Sequence, residues 1–299
     1  MMNGKLLLAF TAVYFGWGST YLAIMFALES FPPFLLAGIR FFIAGCLLFG
    51  WCRLKKESLP SFKDLVKIAF TGICLLFFGS GSVIWVEQYL SSSLTSIIWA
   101  TLPMWLILLD KERWRIHLSN YKIIFGLALG FIGVMVLFGD KKLLIFSDDP
   151  MQLVSVWIAL LGTIIFAVGS LYAKSQALSA SPTLRAAIQM MIAGILSILI
   201  GFLVNEQQEI ILMDVSTSGF ISLLYLIVVG SLMAYLAYVW LINKISPAIV
   251  GTYTYVNPLV ATFLGWAVLQ EVISLQQITA LIIILIGVMT VNFSKLKIS

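Results

Sequence analysis

Apolar runs of about 20 residues follow one another along the chain, and only short polar segments separate them. Such a run is long enough to cross the hydrocarbon layer of a membrane as a helix. The charge content agrees, because 10% of the residues are charged, whereas soluble domains contain about 25%. A backbone in lipid must satisfy its own hydrogen bonds, and the runs do not alternate as β-strands do. The sequence therefore predicts an all-α integral membrane protein.

Ten transmembrane helices fit the apolar pattern. The first run begins with a positive charge, as a signal peptide does, but no small-residue cleavage site follows before the run continues to Leu28, so it is predicted to be retained. The predicted spans are residues 6–28, 33–52, 67–89, 92–109, 121–139, 152–172, 183–204, 219–241, 248–269 and 274–293.

An internal repeat organises these spans. Residues 33–47 and 182–196, aligned without gaps at an offset of 149, share 8 of 15 residues. Repeats of this kind indicate two copies of one unit. We predict a first five-helix repeat at 1–139, a second at 152–293, and a connecting extracytoplasmic loop at 140–151. Because five is odd, the second copy enters the membrane inverted, which is typical of secondary transporters with a site between the repeats.

The basic residues predict the orientation. With the amino terminus inside, the cytoplasmic segments contain 15 of the 18 Lys and Arg residues, and the opposite side contains only Lys141 and Lys142. This asymmetry predicts a multi-pass protein of a cell membrane with both termini in the cytoplasm. It also accounts for the net charge of +5 without nucleic-acid binding. Gly126, Gly130 and Gly133 are interpreted as helix-packing positions within the protomer, so a monomer or weak dimer is expected.

Arg40 is the clearest charge inside an apolar run, between Ile39 and Phe41. A guanidinium at this depth is costly unless it is solvated or paired, so Arg40 is a candidate functional residue. It is interpreted either as an anion contact or ion-pair gate, or as a structural arginine bound to Glu29, Glu87 or a helix-end carbonyl. Both interpretations stay open at this stage.

Polar and aromatic residues share helix faces in four of the predicted spans. Such faces suit a flat or amphipathic solute, because rings supply contact area and hydroxyl or amide groups supply direction. The alternative is that many of them are membrane-interface aromatics or ordinary packing residues. The candidates for substrate binding are Tyr14, Trp17, Ser19, Tyr21, Ser96, Trp99, Tyr235, Tyr238, Tyr253 and Asn257.

Two prolines and one acid complete the candidate set. Pro103 and Pro258 each free a backbone carbonyl within an apolar span, which favours a kink and offers a possible acceptor. Glu87 lies near the end of its span, and no acid lies at mid-span. Proton-driven carriers are expected to contain an embedded carboxylate, so uncoupled transport and proton coupling are both left open.

Four stretches resemble the EamA-type branch of the drug/metabolite transporter superfamily. They are FGWGSTYLAI at 15–24, PPFLLAGIRFFIAG at 32–45, ATLPMW at 100–105, and YVNPLVATFLGWAVLQE at 255–271. The likeness covers nearly the whole chain. It implies a bacterial inner-membrane carrier with ten helices and a central cavity lined mainly by helices one, three, four, six, eight and nine. One departure is Gln270, which precedes Glu271 where the family often has glycine.

The expected function is therefore export of small metabolites, such as amino acids, or of drug-like compounds. A membrane enzyme is the first alternative, but no cluster of His, Asp, Glu or Cys has catalytic spacing. A channel is the second, and the two-copy inverted plan favours a carrier over it. No cofactor or metal site is predicted, and Cys46, Cys52 and Cys74 are interpreted as small apolar residues.

Overall fold

The computed structural model describes residues 4–115, 119–138, 150–208, 215–245 and 247–295. Within these ranges the chain forms ten long helices and no strand, which confirms the predicted fold class. The predicted connecting loop, with Lys141 and Lys142, lies outside the described residues except for Pro150 and Met151, which already belong to a helix. The helices are α1 Gly4–Leu28, α2 Pro33–Leu54, α3 Phe62–Val86, α4 Ser92–Leu108, α5 Tyr121–Phe138, α6 Pro150–Ser175, α7 Pro182–Leu203, α8 Thr217–Lys244, α9 Tyr253–Leu269 and α10 Leu275–Lys295.

Six of these helices, α1, α2, α3, α6, α7 and α8, are long and apolar enough to span a membrane. The apolar helices at Ser92–Leu108, Tyr121–Leu137 and Leu275–Thr290 are shorter. Serine caps explain several helix starts, because their hydroxyls accept hydrogen bonds from N–H groups that the first turn leaves free. Ser61 caps α3 at the Asp64 N–H (3.2 Å), so α3 begins five residues before the predicted span at 67.

The two repeats run in opposite directions, as the packing of α2 against α7 shows. A Cβ atom added to Gly38 would meet the backbone of Ile198 at 2.9 Å, and one added to Gly45 would meet the backbone of Met191 at 2.7 Å. Residue numbers therefore rise along α2 as they fall along α7. These two helices contain the repeated sequence, so sequence mates pack antiparallel.

Further contacts cross between the repeats in the same symmetric manner. Helix α5 packs antiparallel to its mate α10. Helix α1 of the first repeat packs against α8 and α9 of the second, and α6 of the second packs against α3 and α4 of the first. The interface between the repeats therefore lies in the middle of the bundle.

The structure extends the repeat beyond the region of clear sequence identity. Lys56 and Asn205, which are 149 positions apart, both have positive φ angles, 56° and 64°. The next residues, Glu57 and Glu206, each reach the start of the facing helix. Glu57 accepts a hydrogen bond from the hydroxyl of Ser181, the residue before α7 (2.6 Å). Glu206 accepts from the backbone N–H groups of residues 34 and 35 in the first turn of α2 (3.1 and 2.8 Å).

The two candidate prolines have different effects on their helices. Helix α4 is interrupted at Ala100 and Thr101, and Pro103 lies in the first turn of its second half, Leu102–Leu108. Pro258 lies within a continuous helix, α9. That helix is instead separated from a one-turn helix, Pro247–Val250, just before it. The helix is thus interrupted just before Pro103, whereas it continues through Pro258.

The third helix of each repeat contains a π-helical segment, at Ile73–Ser80 in α3 and Leu226–Tyr235 in α8. In such segments the backbone hydrogen bonds reach the fifth residue rather than the fourth, which widens the helix and often marks functional sites. The segment in α8 holds two contacts described below, one from Trp17 and one from Arg40.

Gln270 ends α9 in the left-handed conformation, with φ 54° and ψ 33°. This conformation costs a side chain about 1–2 kcal/mol and is the one that glycine adopts freely. We expect Gln270→Gly to raise the free energy of unfolding by about 0.5–1 kcal/mol, after the greater chain entropy of glycine is subtracted. Thermal unfolding in detergent measures this. The exposed Gln208, which has no positive φ, is the control, and equal or lower stability of Gln270→Gly would contradict the prediction.

Candidate functional site

A cavity lies in the centre of the bundle, where helices of both repeats meet. The empty space between its walls, including space open to solvent, is about 410 Å³. The first repeat contributes residues from α1, α2, α3 and α4, and the second contributes residues from α6 and α9. The lining residues are Trp17, Thr20, Tyr21, Ile24, Arg40, Ser80, Val83, Trp99, Phe166, Tyr253 and Asn257.

A second space of about 150 Å³ adjoins the first. Tyr21, Trp99, Tyr253 and Asn257 line both spaces and so form the wall that they share. The remaining residues of the smaller space come from α4 and α9, among them Ser96 and Pro258.

Aromatic side chains make up five of the eleven lining residues of the cavity. The ring of Trp17 packs edge-on against that of Tyr253, with centroids 5.0 Å apart, and against Phe166 at 6.3 Å. Phe166 in turn contacts Trp99 at 5.5 Å. The Trp17 indole N–H donates to the carbonyl of Gly230 (3.0 Å), in the π-helical segment of α8. This bond fixes the ring of Trp17 and makes the wall a rigid apolar surface.

Arg40 provides the positive charge of the cavity. It is 4% exposed, and its Nε donates to the hydroxyl of Ser231 in α8 (3.0 Å). Ser231 donates onward to the carbonyl of Leu226, five residues earlier (3.2 Å). The guanidinium also lies against Gly230, because a Cβ atom there would be 2.5 Å from Arg40 Nη2. The π-helical segment thus anchors the arginine from the second repeat.

Two polar groups at the cavity have no hydrogen-bond partner within the described part of the chain. They are the indole N–H of Trp99 and the hydroxyl of Tyr253. The hydrogen-bond network orients the amide of Asn257 so that its nitrogen donates to the carbonyls of Tyr14 (2.8 Å) and Tyr253 (3.1 Å). Unpaired buried donors are costly unless something else binds them, so the cavity is suited to a ligand with acceptor atoms.

Glu87 follows the last residue of α3, one turn beyond the cavity-lining Val83. It is 2% exposed, and neither carboxylate oxygen has a hydrogen-bond partner among the residues that the structure describes. Arg40, Glu271 and Tyr21 all act on it electrostatically. The predicted pair of Arg40 and Glu87 is therefore not a hydrogen-bonded ion pair, and Arg40 instead binds Ser231.

Among the described carboxylates near the cavity, that of Glu271 accepts the most hydrogen bonds. It accepts from the N–H and hydroxyl of Ser92 (2.9 and 2.7 Å), from the N–H of Ser93 (3.1 Å) and from the Ser93 hydroxyl. Because Ser92 begins α4, the carboxylate of the second repeat caps a helix of the first, where the helix dipole also favours negative charge. Glu271 thus holds the helix that carries Ser96 and Trp99.

The comparisons with known proteins identify the family of this bundle. The sequence model of the EamA-like transporter family matches residues 4–139 and 153–293. The chain belongs to this family. The predicted resemblance to the drug/metabolite transporter superfamily is thereby confirmed, and the chain is a multi-pass membrane transporter.

Relatives of this EamA-like chain carry transporter names. It is 33% identical over 288 residues to the uncharacterized inner membrane transporter YedA of Escherichia coli (strain K12), covering 96% of this chain and 90% of that protein. It is 23% identical to the uncharacterized transporter YoaV of Bacillus subtilis (strain 168), covering 98% and 99%. A solved crystal structure matches with a TM-score of 0.69 at 19% identity, covering 99% of both chains, which supports the fold alone.

Six of the ten predicted substrate-binding residues of the EamA-like chain line the two spaces: Trp17, Tyr21, Ser96, Trp99, Tyr253 and Asn257. Tyr238 lies behind them, in contact with the ring of Trp17 at 5.1 Å and hydrogen-bonded to Ser170 (2.6 Å). The structure thus places predicted residues from α1, α4 and α9 around one centre.

Three other predicted residues line neither space, because their side chains join helices. The Tyr14 hydroxyl pairs with Thr252 (2.7 Å) and that of Ser19 with Tyr225 (2.6 Å). Tyr235 donates to Gln189 (2.8 Å). The expected contribution of α8 to the cavity is accordingly indirect: Gly230 and Ser231 hold Trp17 and Arg40, and no α8 residue is part of the lining.

Sequence reasoning missed five lining residues of the larger space: Thr20, Ile24, Ser80, Val83 and Phe166. Phe166 opens the stretch at 166–172 that resembles 15–21, but its counterpart Phe15 is 58% exposed, so the repeat did not indicate it. The other four are small or aliphatic and look like ordinary packing residues. In the described residues, no group of three His, Cys, Asp or Glu side chains could hold a metal ion.

Proposed function

We propose that the protein exports small organic metabolites, such as amino acids with apolar or aromatic side chains, or drug-like compounds, by alternating access. The observation that carries this proposal is the central cavity, which is lined by both repeats and has an aromatic wall, one cation and two unpartnered donors. A site at the interface of inverted repeats is the arrangement that alternating access uses.

Hydrogen bonds between the repeats support this mechanism, because they lie toward both ends of the bundle. On the face where α1 begins, Tyr14 of α1 pairs with Thr252, next to α9. On the opposite face, Glu271 holds the start of α4. We propose that outward and inward opening each break the contacts of one face while those of the other remain. In this proposal the two repeats, residues 1–139 and 152–293, are the units that move relative to each other.

The membrane setting completes the proposal. Large apolar side chains are exposed on the outside of the bundle, among them Trp51, Phe62, Phe263 and Trp266, as expected of residues that face lipid. We propose that both termini lie in the cytoplasm, from the distribution of basic residues. The unit is proposed to act as a monomer or weak dimer, because Gly130 and Gly133 pack closely against Met104 and Ile284 within the protomer.

Proton coupling is proposed to act through Glu87. An ionised carboxylate buried without hydrogen bonds is strongly unfavourable, so this conformation favours the neutral form. The groups facing it are Arg40 from α2, Tyr21 from α1 and Glu271 beyond α9. A conformation that admits water would favour ionisation. The carboxyl would thus bind a proton in one state and release it in the other.

Counterflow in proteoliposomes tests the proposed function. Vesicles loaded with one unlabelled amino acid or drug-like amphiphile at a time are diluted into the labelled compound. Saturable counterflow supports a carrier. Ohmic current with no saturation would indicate a channel, and chemical conversion without transport would indicate an enzyme.

Trp99→Phe tests the site for a compound that the wild type transports. It keeps the ring and removes the unpartnered N–H, so we expect about a three- to tenfold loss of affinity, the value of one hydrogen bond. The control is Trp266→Phe, which removes an indole N–H from a residue that is 60% exposed. Equal affinities of the wild type and Trp99→Phe would contradict the assignment of this residue.

A further inference from the structure

Arg40 is a buried cation, and no carboxylate of the described residues accepts a hydrogen bond from it. Of its nitrogens, Nε is used by Ser231, and the carboxylate oxygens of the nearby Glu87 have no hydrogen-bond partner among the described side and main chains. Taking a guanidinium out of water without a paired anion is costly. Glu87 acts on Arg40 electrostatically, but within the described residues the guanidinium N–H groups have no carboxylate acceptor.

The other polar groups of the cavity also favour a ligand with acceptor atoms. Trp99 offers only an N–H donor, and the hydroxyl of Tyr253 is free to donate. Asn257 uses its amide nitrogen on two backbone carbonyls. The rings of Trp17 and Phe166 pack against those of Tyr253 and Trp99, with centroids 5.0 and 5.5 Å apart. A ligand that matches this wall has acceptor oxygens and a negative charge at one end and an apolar or aromatic body at the other.

We propose that Arg40 binds the carboxylate of the transported solute, so that the substrates are monocarboxylates, zwitterionic amino acids included, with an apolar or aromatic body. The inference rests on the proposed function and narrows its substrate class. A guanidinium presents paired N–H donors that match the two oxygens of a carboxylate. Arg40 is the one cation among the described lining residues, so a single negative charge is matched and a phosphate dianion is not.

Ser231 and Gly230 are assigned as positioning residues for this subsite. Ser231 holds Nε, and Nη2 lies against Gly230. Gly230 allows the guanidinium to lie against α8, since any side chain there would occupy the place of Nη2 or of Thr20 Cγ2 (2.5 and 2.9 Å from an added Cβ). The π-helical segment of α8 therefore belongs to the substrate site, although it contributes no lining side chain.

Binding of three matched compounds to the purified protein tests the proposal. They are 3-phenylpropionate, its neutral amide and 3-phenylpropylamine, which share a ring and differ in the charge of one end. Calorimetric titration in detergent at neutral pH is the measurement. We expect the carboxylate to bind about 10- to 100-fold more tightly than the amide, as for a hydrogen bond to a charged group. The amine should bind more weakly than the amide.

Variants then test which residues produce the preference for the carboxylate over the amide. Arg40→Gln should remove the preference for the carboxylate over the amide, and Arg40→Lys should retain part of it. Gly230→Ala should weaken carboxylate binding at least tenfold and reduce the preference for the carboxylate over the amide. Gly50→Ala is its control, since nothing lies within 4 Å of a Cβ atom at Gly50. The comparison of compounds on the wild type does not depend on whether any variant folds.

The outcomes separate this inference from the proposed function. Equal binding of carboxylate and amide by the wild type, or an unchanged preference in a folded Arg40→Gln protein, would overturn the carboxylate subsite. If the amide or the amine is nevertheless carried in counterflow and Trp99→Phe weakens it, the proposed transport function stands without the subsite. If none of the three compounds binds and none of the wider panel is carried, both proposals fail.

Discussion

Replacing Glu271 with alanine is expected to lower the free energy of unfolding by about 2–4 kcal/mol, the largest loss predicted for any acidic residue of the chain. The carboxylate accepts hydrogen bonds from the N–H and hydroxyl groups of both Ser92 and Ser93. Its removal leaves the first turn of α4 with only the Ser91 cap at Leu94 N–H (3.2 Å). The dipole at this helix end also loses its negative partner.

Thermal and denaturant unfolding in detergent measure this effect. Glu271→Gln keeps one acceptor oxygen and should lose about half as much stability as Glu271→Ala. Glu112→Ala is the control, because Glu112 is an exposed acid. Transport should also fall in Glu271→Ala, since α4 carries Ser96 and Trp99. A melting temperature of Glu271→Ala equal to that of the wild type would show that the cap contributes little.

Glu87→Gln is expected to abolish substrate accumulation driven by a pH gradient while leaving counterflow largely intact. Glutamine imitates the neutral carboxyl, which is the form favoured by burial without hydrogen bonds, so the closed conformation should remain stable. It cannot release a proton, so the step that couples to the gradient is lost. With one proton exchanged per solute, a gradient of one pH unit supports about a tenfold accumulation ratio, because about 1.4 kcal/mol corresponds to a factor of 10, and the variant should lose this accumulation.

The experiment compares proteoliposomes with and without an imposed pH gradient, using a compound for which counterflow is established. Glu112→Gln provides the matched control. Gradient-driven accumulation by Glu87→Gln at the wild-type level would exclude Glu87 as the proton carrier. If the wild type itself does not respond to the gradient, transport is uncoupled and the proposal for Glu87 is wrong.

The candidate site was only partly predictable from sequence. Trp17, Tyr21, Trp99, Tyr253 and Asn257 were identified because aromatic and amide side chains at helical spacing are unusual within apolar spans. Tyr14, Ser19 and Tyr235 show the same pattern and face other helices instead. Spacing along one helix defines a face, but the neighbour of that face depends on how the other helices pack.

The partner of Arg40 shows the same limit. Sequence proximity and charge suggested Glu29, Glu87 or a helix-end carbonyl, whereas the structure gives Ser231, 191 positions away. That contact requires a π-helical segment in α8 and a glycine at 230. Neither feature can be predicted from the sequence of one helix, because both depend on where two helices approach closely.

The sequence by itself determined the class of the protein, the number of helices and the inverted repeat. The length of each apolar span and the repeat after five spans can both be read along the chain, and neither needs tertiary information. The tertiary structure alone decided which polar groups pair across the repeats, as Glu57 with Ser181, Glu206 with α2, and Glu271 with Ser92 and Ser93. It also decided which aromatic faces surround the cavity. The physical reason is that bilayer crossing depends on the composition of a segment, whereas a site depends on the relative positions of side chains from distant segments.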